Sequence, residues 1–122
     1  MTTATNLAFR QNFFPNSWGF MNDELTATAG GGQNVGPRLV SGMNRFTVVA
    51  SAGDSAQLPS ILSGETKGHV VVINDTAASM NVFPATGENM NGAANASAAV
   101  PANSVAFFML VPGATNWRSA TL

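Results

Sequence analysis

The chain of 122 residues contains no cysteine and little charge, and these two absences exclude several classes of protein. Without cysteine there is no disulfide scaffold, no thiolate zinc site and no cysteine nucleophile. The net charge is −1 and the five Lys and Arg residues are scattered, so we expect neither nucleic acid nor an anionic membrane as a partner. No segment approaches the roughly 18 apolar residues that span a membrane, and the first twenty residues lack the pattern of a signal peptide.

Charged residues make up only 9% of the chain, whereas ordinary soluble domains carry about 25%. The hydrophobic content of 45% is that of a chain that folds. A folded domain with so little charge has a large neutral surface, and protein interfaces use such surfaces. We therefore expect copies of the chain or another protein to cover much of this surface. A rigid extracellular domain rich in Ser, Thr and Asn is the alternative.

From residue 44 onward the sequence alternates between short β-rich segments and turn signals. The predicted strands are "NRFTVVA" (44–50), "HVVVIND" (69–75), "SMNVFPA" (79–85), "SVAFFMLVP" (104–112) and "NWRSATL" (116–122). The short "TAA" loop predicts a hairpin over 69–83, and the last two strands should pair antiparallel. The pattern predicts an all-β fold, a single β-sandwich or jelly-roll-like domain over residues 38–122.

The strand at 104–111 is apolar on both of its faces. Phe107 and Met109 point one way, while Phe108 and Leu110 point the other. A sandwich strand in an isolated domain normally has one polar face, so both faces of this strand need cover. We predict that Phe107, Phe108 and Leu110 serve the core and self-association.

Residues 1–37 are predicted to form an irregular N-terminal arm followed by a Gly-rich connector, "GGGQNVGP" (30–37). The connector is not a phosphate-binding loop, because no GK[ST] follows it. Half of the ten aromatic residues lie in the arm: Phe9, Phe13, Phe14, Trp18 and Phe20. Such a segment must bury its aromatics, either by covering a sheet edge of its own domain or by reaching a neighbouring subunit.

Few residues in the chain could carry chemistry. His69 is the only histidine, no serine lies in a G-x-S-x-G motif, and the acids have turn or surface interpretations. We therefore predict no catalytic residues, no metal, no cofactor and no small-molecule substrate. A glycan hydrolase with paired carboxylates is the remaining enzymatic alternative. In the loop "GENMNGAANAS" (87–97), Asn91 and Gly92 predict a tight turn, and Met90 should point inward.

The segment from about residue 45 to residue 117 resembles a small β-module of virion structural proteins from tailed bacteriophages. The shared elements are a "GDS…LP" turn, a Val-rich strand ending in Asn, the strand into "VFPATG", the loop "MNGAANAS", a "VPA" step, an aromatic strand and a closing Trp. Met90 departs from the branched aliphatic residue of the module, and methionine fills similar space.

The resemblance implies a β-sandwich or jelly-roll-like domain, commonly trimeric, and it implies no catalytic residues. We expect a capsid decoration (cement) protein that is made in the host cytoplasm and binds the phage head. It would bridge subunits of the major capsid protein as a homotrimer. The five arm aromatics are the predicted capsid or subunit contacts, and a neck or tail adaptor or a host-binding adhesin is the alternative.

Overall fold

The computed structural model describes residues 20–122, which form β-structure without a helix. In chain order the strands are β1 Phe20–Thr26, β2 Gly42–Val48, β3 Asp54–Gln57, β4 His69–Asn74, β5 Met80–Phe83, β6 Asn89–Met90, β7 Ala93–Ala94, β8 Ala98–Val100, β9 Ser104–Leu110 and β10 Asn116–Thr121. Within this part of the chain there is consequently no helix that could cross a membrane. The all-β prediction is confirmed.

The strands form two sheets that share one hydrophobic core. The large sheet has the order β1-β2-β4-β9-β10-β6-β7, and the small sheet has the order β3-β5-β8. The large sheet contributes Phe46, Val70, Val72, Phe108 and Trp117 to the core, and the small sheet contributes Ala56, Met80, Val82 and Val100. All of these side chains are 0% exposed. The face of the large sheet that carries them is called the inner face below.

The chain winds between the two sheets instead of folding as successive hairpins. From β2 to β5 the strands alternate between the large and the small sheet. As a result β2 pairs with β4 in parallel, and β3 pairs with β5 in parallel. Strand β1 is also parallel to β2, and Arg38 between them forms a parallel bridge with Gln57 of β3. Jelly rolls are built from antiparallel strands, so these pairings suggest solenoid-like stacking instead.

The hairpin predicted over residues 69–83 is wrong, because β4 and β5 lie in different sheets. The short segment between them carries the chain across the core. Asn74, which is fully buried, holds this corner by donating to the carbonyl oxygens of Ala78 (2.9 Å) and Val100 (3.1 Å). The antiparallel pair at the C-terminus is confirmed, with Trp117 opposite Leu110 in β10 and β9.

The predicted Gly-rich connector packs against β3. Gly36 has φ +110°, and a Cβ at this position would collide with the carbonyl group of Ser55. The Gln33 amide also donates to the Pro84 carbonyl (3.0 Å) and to Asn95 Oδ1 (2.9 Å). The boundary at residues 37 and 38 stays a prediction, and β1 pairs with β2 across it.

The turn predicted in the loop at 87–97 is confirmed. Strands β6 and β7 pair antiparallel around Asn91 (φ 53°) and Gly92 (φ 85°). Met90 points inward and is only 1% exposed. Strand β6 pairs in parallel with β10, so this loop extends the large sheet beyond its last long strand.

Candidate interaction surface

The side of the large sheet that faces away from the core carries a continuous apolar surface. The backbone register aligns Met21, Met43, Val71, Phe107 and Ala120 in one row across β1, β2, β4, β9 and β10. Side chains alternate along a strand, so these residues point away from the neighbouring core residues Val70 and Phe108. We call this surface, together with Ile73, Val105, Met109 and Leu122, the outer face.

The outer face is largely apolar, with His69 and Arg118 on either side of Met109, and it is open to solvent at several points. Met21 is 78% exposed, Met109 is 55% exposed and Leu122 is 81% exposed. Val71, in the middle of the row, is only 5% exposed because its neighbours on the adjacent strands shield it. Single exposed apolar residues are ordinary, but a contiguous patch of them marks an interaction site.

A cluster of charged residues borders the outer face on the β1 side. The Arg45 guanidinium donates to Asp75 Oδ2 at 2.7 Å and to Asp23 Oδ1 at 3.0 Å. The hydrogen bond from Arg45 and a second one from the Glu24 N–H hold the pKa of Asp23 below its ordinary value. The hydrogen bonds to Asp75 and Asp23 raise the pKa of Arg45. The cluster contains two acids and one base, so its formal net charge is −1.

The charged cluster and the first apolar row enclose a shallow groove. Its volume is about 160 Å³, and it is lined by Met21, Asn22, Asp23, Met43, Arg45 and Ile73. The groove has an apolar floor and one charged wall. Such a shape fits an apolar side chain that enters beside a polar or charged neighbour.

The predicted contact residues fall in three different places. Phe9, Phe13, Phe14 and Trp18 lie outside the described residues, and of Phe20 only the backbone is described, paired with Gly42. Phe108 is 0% exposed and Leu110 packs against the core, so both belong to the inner face. Phe107 is half-buried on the outer face. The two adjacent phenylalanines thus lie on opposite faces of the sheet, as the alternation of the strand predicts.

A buried carboxylate was missed by sequence reasoning. Glu88, predicted to lie in a loop and to have a turn or surface role, is 0% exposed. Its Oε2 accepts hydrogen bonds from Ser60 Oγ (3.0 Å) and from the N–H groups of Ile61 (2.9 Å) and Leu62 (3.0 Å). The carboxylate closes the turn at residues 60–63, which is a structural task. Its donors lie 26 to 28 residues earlier in the chain, so no local pattern identifies them.

The acids of the described residues do not assemble into a metal site. No group of three or more His and acidic side chains in residues 20–122 could hold an ion. Asp54 is buried and caps its own turn, where Oδ2 accepts from the Ser51 N–H at 3.2 Å. Glu65 lies 3.5 Å from Arg38 beside a second groove of about 350 Å³.

Comparison with known proteins adds no relative. No family model matches the chain, and neither a curated protein nor a solved structure does. The resemblance to a phage virion module therefore stays a prediction that rests on the quoted motifs.

Proposed function

We propose that this protein is a structural component of a bacteriophage virion, a capsid decoration protein that binds the outer surface of the head. The observation that carries the proposal is the outer face, an apolar sheet surface without cover from residues 20–122. The low charge of the whole chain supports it independently, because a free monomer normally carries more charge for solubility.

The proposed action is mechanical. A homotrimer bridges subunits of the major capsid protein and adds buried surface to each junction of the shell. Many weak contacts on one particle act together through multivalency. The aromatic arm and the outer face supply contacts between copies or to the shell, and no cofactor, nucleic acid or substrate takes part. In this proposal the two sheets serve as the layers of a sandwich-like unit with solenoid-like winding.

A neck or tail adaptor, or a host-binding adhesin, is the second candidate. An adhesin that binds glycans needs an exposed aromatic residue on which a sugar can stack. Trp117 is 0% exposed in the core and cannot take this role. That leaves Trp18, outside the described residues, as the tryptophan that such a site would use.

Within the described residues, Asp23 and Asp75 are the pair of acids that shares a partner, Arg45, and their geometry disfavours a glycan hydrolase. Arg45 holds Asp23 and Asp75 side by side at the edge of the groove. A general acid needs a raised pKa, whereas the hydrogen bond from Arg45 lowers the pKa of Asp23. The pair therefore acts as a salt bridge, and we propose that the protein is not an enzyme.

The proposal is tested by mixing the purified protein with expanded, undecorated capsids of the phage that encodes it. Co-sedimentation and the mass of the particles are measured. We expect binding that saturates at a fixed number of copies per shell. Failure to bind shells contradicts the decoration role, and clear binding by the isolated protein to host cells or a glycan array favours the adhesin instead.

A further inference from the structure

The outer face and the aromatic arm are two apolar surfaces that adjoin in the chain. Met21, the first residue of the outer face, follows residues 1–19 after a single position. Those nineteen residues contain four aromatic side chains and one charged side chain, Arg10. Apolar side chains are stabilised by burial, and each of these two apolar sets could bury the other.

We propose that the outer face binds the aromatic segment, residues 9–18, of a second copy of this chain. The inference deepens the proposed function by naming the partner of the outer face, and it concerns self-association alone. Binding to the shell is measured separately, so either idea can fail without the other.

The sizes of the two surfaces agree with a stable contact. An aromatic side chain buries about 150–250 Å². Four of them therefore supply roughly 600–1,000 Å², and each partner in a standard protein interface contributes about 800 Å². The apolar row on the outer face crosses five strands, which is about 19 Å at the usual strand spacing. A segment of ten residues reaches this distance even when it is not fully extended.

The direction of β1 favours a second copy over the same chain. The chain enters β1 at the end of the large sheet where β9 finishes and β10 begins. The rows of Met21 and Asp23 lie ahead of this entry point. A segment that follows this row on its own sheet would need a sharp bend directly before β1, whereas a segment from a second copy is free of this constraint.

Charge complementarity also supports residues 9–18 as the segment that binds the outer face. The cluster of Asp23, Arg45 and Asp75 has a net charge of −1 and lines the groove beside Met21 and Met43. Arg10 lies between Phe9 and Phe13 in the segment. An aromatic side chain in the groove would bring Arg10 toward the two aspartates, where a cation is favoured.

An arm that binds the face of the next copy makes a head-to-tail contact, in which each copy uses two different surfaces. Such contacts close into rings when the rotation between copies allows it. A ring of three copies matches the homotrimer in the proposed function.

The first test measures the mass of the full-length protein in solution by light scattering. We expect an oligomer for the wild type and for Leu62→Glu, because Leu62 is 69% exposed but lies in the turn closed by Glu88, outside the strands of the outer face. Met109→Glu puts a charge on the outer face and should weaken self-association at least about thirty-fold. Replacing Phe9, Phe13, Phe14 and Trp18 together by serine should have the same effect, and circular dichroism verifies that each variant is folded.

The second test identifies which chain supplies the segment on the outer face. The sequence contains no cysteine, so introduced cysteines are the only thiols that a crosslinker can join. One protein carries Asn16→Cys in the arm, and a second, with a tag of different size, carries Ala120→Cys on the outer face. A short bismaleimide should join the two different chains. A variant with both cysteines that is joined only within one chain would show that the arm covers its own face, which overturns the proposal.

Two further outcomes also contradict it. A wild-type monomer at high concentration excludes a second copy as the occupant. An oligomer that survives the serine replacements but not Met109→Glu shows that the sheet faces pair directly. If the protein binds shells in either case, the decoration role stands and only the arm exchange is wrong.

Discussion

The two faces of the large sheet are built from the same strands but differ in how much of their apolar side chains is exposed to solvent. On the inner face Phe108 is 0% exposed, and on the outer face the next residue, Met109, is 55% exposed. Two buried polar side chains beside the core, Asn74 and Glu88, find several partners each, whereas Trp117 Nε1 is buried without a hydrogen-bond partner among the described residues. The core therefore forms without the outer face, and we propose that the apolar residues outside serve contacts beyond residues 20–122.

The largest expected difference between the faces comes from two adjacent phenylalanines. Phe108→Ala removes a side chain from the sealed core and should lower the free energy of unfolding by about 3–5 kcal/mol. Phe107→Ala, on the outer face, should cost about 1 kcal/mol or less in dilute solution. Urea unfolding measures both, and equal losses would contradict the separation of the two faces.

The second comparison sets a buried acid against an exposed one. Glu88→Gln replaces an acceptor oxygen by an amide that faces the N–H groups of Ile61 and Leu62. We expect a loss of about 2–3 kcal/mol in the free energy of unfolding. Asp23→Asn, at the border of the outer face, should leave the unfolding midpoint unchanged within error. A larger shift for Asp23→Asn than for Glu88→Gln would show that the charged border, not the buried turn, stabilises the fold.

The smallest effect concerns the dependence of stability on pH. Arg45 lowers the pKa of Asp23 below 3.8, so Asp23 stabilises the fold above that pH. This contribution is lost as the pH falls from 3.8 through the lowered pKa. Arg45→Met should remove this part of the acid dependence, and thermal unfolding at about pH 7 and about pH 3 measures it. Arg118→Met is the control for loss of an arginine from the same face, and an identical change in both variants would contradict the assignment.

Local sequence patterns were sufficient to predict the strands near the C-terminus. The strand at 104–110 has strict alternation of two apolar faces, and Pro112 and Gly113 set a short connection to β10. The turn at Asn91 and Gly92 was predictable because both residues take positive φ readily. These features depend on residues that are close in sequence.

The pairing of strands could not be predicted in the same way. The Val-rich pattern of β4 predicts a buried strand but does not specify a neighbour, and β4 pairs with β2 and β9 from distant parts of the chain. The short loop after Asn74 has the length of a hairpin turn. However, the Asn74 side chain donates to backbone carbonyl groups there, and these bonds hold a corner at which the chain crosses between the sheets. The groups around Arg45 and Glu88 were missed for the same reason, since their partners are brought together only by the winding.

The most direct test of the outer face uses the native methionines, which report on both faces without any substitution. Met80 and Met90 lie in the core at 0% and 1% exposure, whereas Met21 and Met109 are 78% and 55% exposed on the outer face. Initial rates of oxidation by peroxide are measured by mass spectrometry over a range of protein concentrations, because oxidation follows exposure. If the outer face is an assembly surface, Met21 and Met109 are protected at high concentration and oxidise rapidly on dilution, while Met80 and Met90 stay protected throughout. Rapid oxidation of Met21 and Met109 at every concentration would contradict this account.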